Sequence, residues 1–147
     1  MIQIEYMTAS HVSGIAELEK ICFSDPWNEA SVASELDNPL SLWLVAVAEN
    51  QVVGYVGSQS VLGEADMMNL AVAPDFRRRG IAEKLVDSLI QELNGKGIHS
   101  LTLEVRASNQ SAQNLYQKIG FQRVGVRPRY YHNPREDAWI LRKEWKN

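Results

Sequence analysis

The sequence predicts an α/β fold in one domain over residues 1–147: a mixed, mostly antiparallel sheet flanked by helices. Three observations carry that expectation. Apolar runs follow one another at 42–48, 52–60 and 67–72 across short turns, as antiparallel neighbours do. Ala82, Leu85, Val86, Leu89, Ile90 and Leu93 then recur at steps of three and four, the stripe of an amphipathic helix. A strand, a further helix and two closing strands complete the alternation.

Taken in order, Ile2–Tyr6 alternates and opens as a strand. Thr8 or Ser10 can cap the next helix, where Val12, Ile15, Ala16, Leu18, Glu19 and Cys22 trace a stripe with polar interruption. Pro26 breaks it, and Ser31–Leu36 makes a short second helix. Between them, Trp27 can anchor the loop into the core. Glu49-Asn50-Gln51 turns the first hairpin, with Gly54 and Gly57 permitting twist or close approach in its second strand. Leu62-Gly63-Glu64-Ala65 turns again into Met67–Val72. Asn94-Gly95-Lys96-Gly97 ends the long helix. In the strand 98–105, Leu101, Leu103 and Val105 share one face, and Thr102, Glu104 and Arg106 the other. Ala112, Leu115, Tyr116 and Ile119 mark the last helix, stopped by Gly120. Phe121–Arg127 and Asp137–Lys143 close the sheet around a long loop rich in arginine and tyrosine.

Composition excludes several function classes. The net charge of −3 argues against coating nucleic acid, although arginines gather at 77–79 and 123–135. Cys22, the one cysteine, excludes an intramolecular disulfide and suggests a reducing compartment. It has no neighbouring base, so structural burial is expected of it. Three scattered histidines give no metal-ligand spacing; His11 is expected on the surface and His99 in a strand. No apolar run approaches the roughly 20 residues that span a bilayer, and no secretion signal opens the chain. A cytoplasmic enzyme without metal, membrane or nucleic-acid partners is expected, with Arg142, Lys143 and Lys146 solvated at the tail.

The turn at 77–80 has a chemical use. A helix start presents backbone N–H groups without intrahelical partners at the positive end of its dipole. Gly80 lets an anion approach the main chain, and Arg77, Arg78 and Arg79 add charge. Such a corner suits a phosphate or pyrophosphate, or else is a solvated basic turn. It is neither a Walker loop nor a dinucleotide fingerprint.

Arg77-Arg78-Arg79-Gly80-Ile81-Ala82 fits the pattern Arg/Gln-x-x-Gly-x-Gly/Ala and follows a strand. On these residues the chain resembles the GCN5-related N-acetyltransferase (GNAT) family, whose loop holds the pyrophosphate of acetyl-coenzyme A. The element order agrees over the whole chain. Leu103–Asn109, Asn114–Phe121, Arg129–Tyr131 and Arg135–Ala138 resemble its bacterial RimI-type branch, which acetylates the N-terminal alanine of a small-subunit ribosomal protein. The resemblance implies a splayed pair of central parallel strands. It implies acetyl-coenzyme A contacts from Leu70, Ala71, Val72, Arg78, Arg79, Gly80, Ile81, Ala82, Glu83 and Asn109. Glu104 would be the general base and Tyr116 the general acid, with the loop 127–137 closing over the peptide and Trp27, between the first two helices, contacting it in the acceptor groove.

Other roles for these residues stay open. Glu104 could be a strand carboxylate paired with Arg106 or a neighbouring strand, Tyr116 a core tyrosine, and Asn109 a helix cap. Rival readings are an acceptor that is lysine or a small amine, or a non-catalytic module that binds coenzyme A. The chemistry favours an α-amine: near pKa 7.7–8.0, about a tenth is free at neutral pH, against well under a hundredth for lysine. A carboxylate near pKa 4.3 is about 5 kcal/mol too weak to take that proton unaided. Burial of the base, or transfer through ordered water, is therefore expected.

Overall fold

A computed structural model describes residues 1–145; Lys146 lies outside them. Strands β1 (Gln3–Tyr6), β2 (Ser41–Ala48), β3 (Gln51–Val61), β4 (Glu64–Val72), β5 (Ser100–Arg106), β6 (Gln122–Tyr131) and β7 (Glu136–Glu144) form one sheet. Helices α1 (Val12–Cys22), α2 (Glu29–Ser34), α3 (Ile81–Gly95) and α4 (Gln110–Ile119) flank it. The strand order is β1-β2-β3-β4-β5-β7-β6, and β4 with β5 is the parallel pair.

Both hairpins in the first half turn on two residues with positive φ. Glu49 and Asn50 stand at 50° and 65°, Leu62 and Gly63 at 53° and 82°. Left-handed geometry at both central positions matches the strand twist, so neither turn needs more residues. The second turn is shorter than the four-residue turn expected, and β4 starts three residues before Met67.

Period-two alternation divides the core between the sheet's faces. Along β2, Leu44, Ala46 and Ala48 join the cluster under α3, whose Leu85, Val86, Leu89 and Leu93 are buried. Trp43 and Val45 join the opposite cluster with Val12, Ile15 and Leu18 of α1 and with Tyr55. Leu85 and Leu89 are fully buried, each worth about 1.5–3 kcal/mol over exposure. Gly57 permits the close approach expected of it: a Cβ there would lie 2.4 Å from the Trp43 ring.

The parallel pairing is brief. Glu64, Ala65 and Asp66 pair with Ser100, Leu101 and Thr102, and the ladder goes no further. Just beyond, β4 carries a bulge: Gly57 pairs with Asn69 and Ser58 with Met67, which leaves Met68 extra. A bulge bends and twists its strand, so β4 turns from β5 at that point. The central pair is therefore splayed.

Several expectations are corrected. The second helix runs Glu29–Ser34, capped by Asn28 accepting the Ser31 N–H (2.8 Å), and tightens to a 3-10 turn over Glu35–Asp37. The long closing loop shrinks to residues 132–135, because β6 continues through Tyr130 and Tyr131. The tail cations are engaged: Arg142 pairs with Glu64 (2.8 Å) and Glu144 (3.0 Å), and Lys143 donates to the Ile119 carbonyl at the end of α4 (2.6 Å). His11 is also largely covered, its Nδ1 accepting the Thr8 N–H at 3.0 Å, and His99 precedes β5.

Candidate active site

Two cavities meet where β4 leaves β5. The first, about 650 Å3, is lined by Leu70, Ala71 and Val72 of β4, by Arg77, Arg78 and Gly80, and by Ile81, Ala82 and Glu83 of α3. Asn109 and Leu115 face it from the other side of the splay. Gly80 has φ +76°, and a Cβ built on it would meet nothing within 4 Å, so the main chain stands open there. The Lys84 N–H is the first to close an intrahelical bond, onto the Gly80 carbonyl (3.0 Å). Ile81, Ala82 and Glu83 thus keep N–H groups without intrahelical partners at the positive end of α3. An open main chain, a dipole end and arginine side chains together fit a diphosphate.

The three arginines differ. Arg77 donates to the Val72 carbonyl (3.1 Å), and Arg78 lines the cavity. Arg79 does not line it: its guanidinium donates to the Asp75 carbonyl (3.1 Å) and lies 4.7 Å from the Phe76 ring centre. Asn109 does two things at once. Its Oδ1 accepts the Ala112 N–H (3.1 Å), capping α4, and the residue lines both cavities. Glu83 pairs with Lys118 (3.0 Å), tying α3 to α4.

The second cavity, about 740 Å3, is bounded by the bulged part of β4, by Leu103–Arg106 of β5, by Tyr116 and Tyr131, and by the α1–α2 connection with Trp27. Cys22, Phe23, Leu70, Asn109, Ala112 and Leu115 line both cavities, so the two are continuous at the splay. Cys22 is half-buried, its thiol 3.5 Å from an Arg77 nitrogen. Trp27 packs on Trp43 (ring centres 5.4 Å apart), anchoring the connection, and also lines the cavity.

Glu104 and Tyr116 face this second cavity. The Glu104 side chain is 25% exposed and pairs with Arg127 (3.2 Å), reaching across β7 to β6 rather than along its own strand to Arg106. Tyr116 is buried, its ring edge-on to Phe121 and its hydroxyl donating to the Met67 sulfur (3.6 Å). Burial pushes its pKa well above that of an ordinary phenol, and the charge of an ionised Tyr131 adds to the rise. Tyr131 stands between them electrostatically. Its own pKa is pushed up to about 12, first by burial and then by the Glu104 charge.

The model of the acetyltransferase (GNAT) family matches residues 12–121. The chain belongs to the GNAT acetyltransferases. The ribosomal protein bS18-alanine N-acetyltransferase of Salmonella typhimurium is 35% identical over 144 residues, 96% of this chain and 96% of that one. Its Haemophilus ducreyi counterpart is 34% identical, over 94% of this chain and 97% of the other. The crystal structure of the Escherichia coli ribosomal-protein-S18-alanine N-acetyltransferase superposes with a TM-score of 0.90 at 33% identity, covering 98% and 94% of the two chains. Arabidopsis thaliana NAA60, solved with acetyl-CoA, shares the fold at a TM-score of 0.90 and 17% identity.

Within this GNAT fold, sequence reasoning passed over Arg106. It shares the Glu104 face of β5, the one signal available. Its guanidinium donates to the carbonyls of His132 (3.0 Å) and Pro134 (2.9 Å), pairs with Glu136 (3.2 Å), and lies 4.4 Å from the Tyr131 ring centre. Glu136 also accepts the Ser108 N–H and hydroxyl (both 3.0 Å), and these bonds hold its carboxyl below the usual range. Arg106 thus ties the β6–β7 connection to β5 beside the second cavity.

Proposed function

We propose that this GNAT enzyme transfers the acetyl group of acetyl-coenzyme A to the N-terminal α-amine of a ribosomal protein, with alanine as the first residue, by direct attack in a ternary complex. The observation that carries the reading is the shared wall of the two cavities. A diphosphate held at Gly80 sends a thioester along β4 to the splay, and an amine entering the second cavity meets it there. The acceptor follows the relatives named as bS18-alanine N-acetyltransferases, which match this chain nearly end to end. Such an acceptor puts the enzyme in the cytoplasm and requires neither membrane nor nucleic acid.

In the transfer, the amine lone pair attacks the thioester carbonyl carbon, and main-chain N–H groups of Leu70–Val72 stabilise the developing oxyanion. The nitrogen then loses a proton towards Glu104. This side chain is partly open and ion-paired, so the proton passes through water rather than to a desolvated carboxylate. The carbon–sulfur bond breaks, and the Tyr116 phenol protonates the departing thiolate. Burial keeps that phenol protonated until the thiolate appears. The proton shed by nitrogen restores it through solvent, leaving amide and free coenzyme A.

The test is acetyl-coenzyme A with peptides differing only at the first residue, beside an N-blocked peptide carrying internal lysine. Alanine peptides should be turned over and the blocked peptide left unmodified. Equal rates on both would give the acceptor role to lysine instead.

A further inference from the structure

Beneath the second cavity lies a carboxylate that the transfer does not use. Glu19 sits on the apolar stripe of α1 and is 1% exposed. Its Oε1 accepts the Trp27 N–H (2.9 Å), and its Oε2 accepts the Asn69 side-chain amide (2.8 Å) and the Tyr55 hydroxyl. Among the described residues no cation pairs with it. A buried carboxylate without a counter-ion is costly, and a leucine at this stripe position would pack without that cost.

The partners indicate what the charge is for. Trp27 belongs to the α1–α2 connection and Asn69 to the bulge of β4, and both line the second cavity. Neither lines the cavity at Gly80. One carboxylate therefore joins two walls of the acceptor half and no part of the diphosphate corner. An ionised carboxylate suits the task because both oxygens only accept, and bonds to a charge are stronger than neutral ones. A glutamine there would keep the volume but turn an N–H donor towards partners that are themselves donors.

We propose that Glu19 is a positioning residue for the acceptor: it locks the Trp27 amide to Asn69 and so sets the spacing of the walls between which the incoming peptide is bound. It touches neither substrate. The inference rests on the second cavity being the acceptor site.

The experiment uses Glu19→Gln in the full chain, with three readouts: exchange of the Trp27 backbone amide, acetyl-coenzyme A affinity by titration, and KM for an N-terminal alanine peptide. Loss of one charge-assisted bond should speed Trp27 exchange and raise peptide KM each about tenfold, with acetyl-coenzyme A affinity within about twofold. Adding Asn69→Asp reverses the polarity of that partner, so the double variant should regain part of the peptide KM. Unchanged Trp27 exchange, or acetyl-coenzyme A affinity weakening in step with peptide KM, would overturn the proposal. If the wild type turned over no N-terminal peptide, the assigned function would fail. The split between Trp27 exchange and acetyl-coenzyme A affinity would still decide the role of Glu19.

Discussion

The two halves of the site are built from different materials. The corner at Gly80 is main chain: a left-handed glycine, the first turn of α3 and the free edge of β4. The half proposed for the acceptor is side-chain network. Glu19 joins α1 to the α2 connection and β4, and Arg106 joins β5 to the β6–β7 connection. A backbone site is set by local conformation and tolerates exchange of most side chains around it. A network site depends on contacts between residues far apart in sequence, where one lost donor leaves an unpaired group in a covered place. The same fold can thus hold one acyl donor while its acceptor side is rebuilt for different amines.

The largest effect should come from breaking the chemistry while leaving both halves standing. Glu104→Gln and Tyr116→Phe should each lower kcat by about 10²-fold or more, as loss of a positioned acid or base does. Acetyl-coenzyme A affinity should stay near wild type in both. Unchanged turnover would remove the roles assigned to these side chains.

Next in size is an attack on the backbone half alone. Gly80→Val puts a β-branched residue at φ +76°, a conformation costing about 1–3 kcal/mol although space for its Cβ is open. Relief of that strain would move the main chain, and acetyl-coenzyme A affinity should fall about tenfold or more. Peptide KM at saturating acetyl-coenzyme A should hold. An equal loss on both substrates would show that the halves are not separable.

Arg106→Lys is the milder counterpart on the other side. A lysine keeps the charge but cannot serve two carbonyls, a carboxylate and an aromatic face together. Peptide KM should rise about fivefold to tenfold, with acetyl-coenzyme A affinity unmoved. Steady-state kinetics with each substrate varied in turn would detect a shift on the wrong one.

This division also explains what the sequence could reveal. The run Leu70–Ala82 declares strand, glycine turn and helix start within thirteen neighbouring residues, because conformation there is local. The splay could be expected only by family resemblance, since its cause is the Met68 bulge and a ladder cut off after three pairs. Tyr130 and Tyr131 were expected in a loop rich in arginine and tyrosine, yet β6 continues through them across irregularities of register. Glu19 read as an interruption of the α1 stripe. Its meaning lies 8, 36 and 50 residues away, at Trp27, Tyr55 and Asn69, and no local pattern records that.

Two buried glutamates sharpen the contrast in a last, smaller effect. Glu35 accepts from Ser41 (2.9 Å), Gln59 (2.8 Å), Trp43 (3.3 Å) and Asn38 (3.5 Å). Burial pushes its pKa up, but the four donors outweigh burial and hold it below the usual carboxylate value. Its contribution is complete above the unfolded value and lost as pH falls through the folded one. Glu19 has the opposite sign. Burial outweighs its donors and raises its pKa, so between the unfolded and folded values the folded state holds a proton that the unfolded chain has shed. Above the folded value Glu19 is the charged acceptor of three hydrogen bonds. Its contribution is complete below the unfolded value and declines as pH rises through the folded one. Thermal unfolding from acid to neutral pH should separate the two. Glu35→Gln should flatten the loss of stability on the acid side, and Glu19→Gln should remove a decline on the way to neutrality, each by about 2–4 °C in Tm. Parallel curves for the two variants would mean that neither carboxylate is held in the protonation state its surroundings dictate.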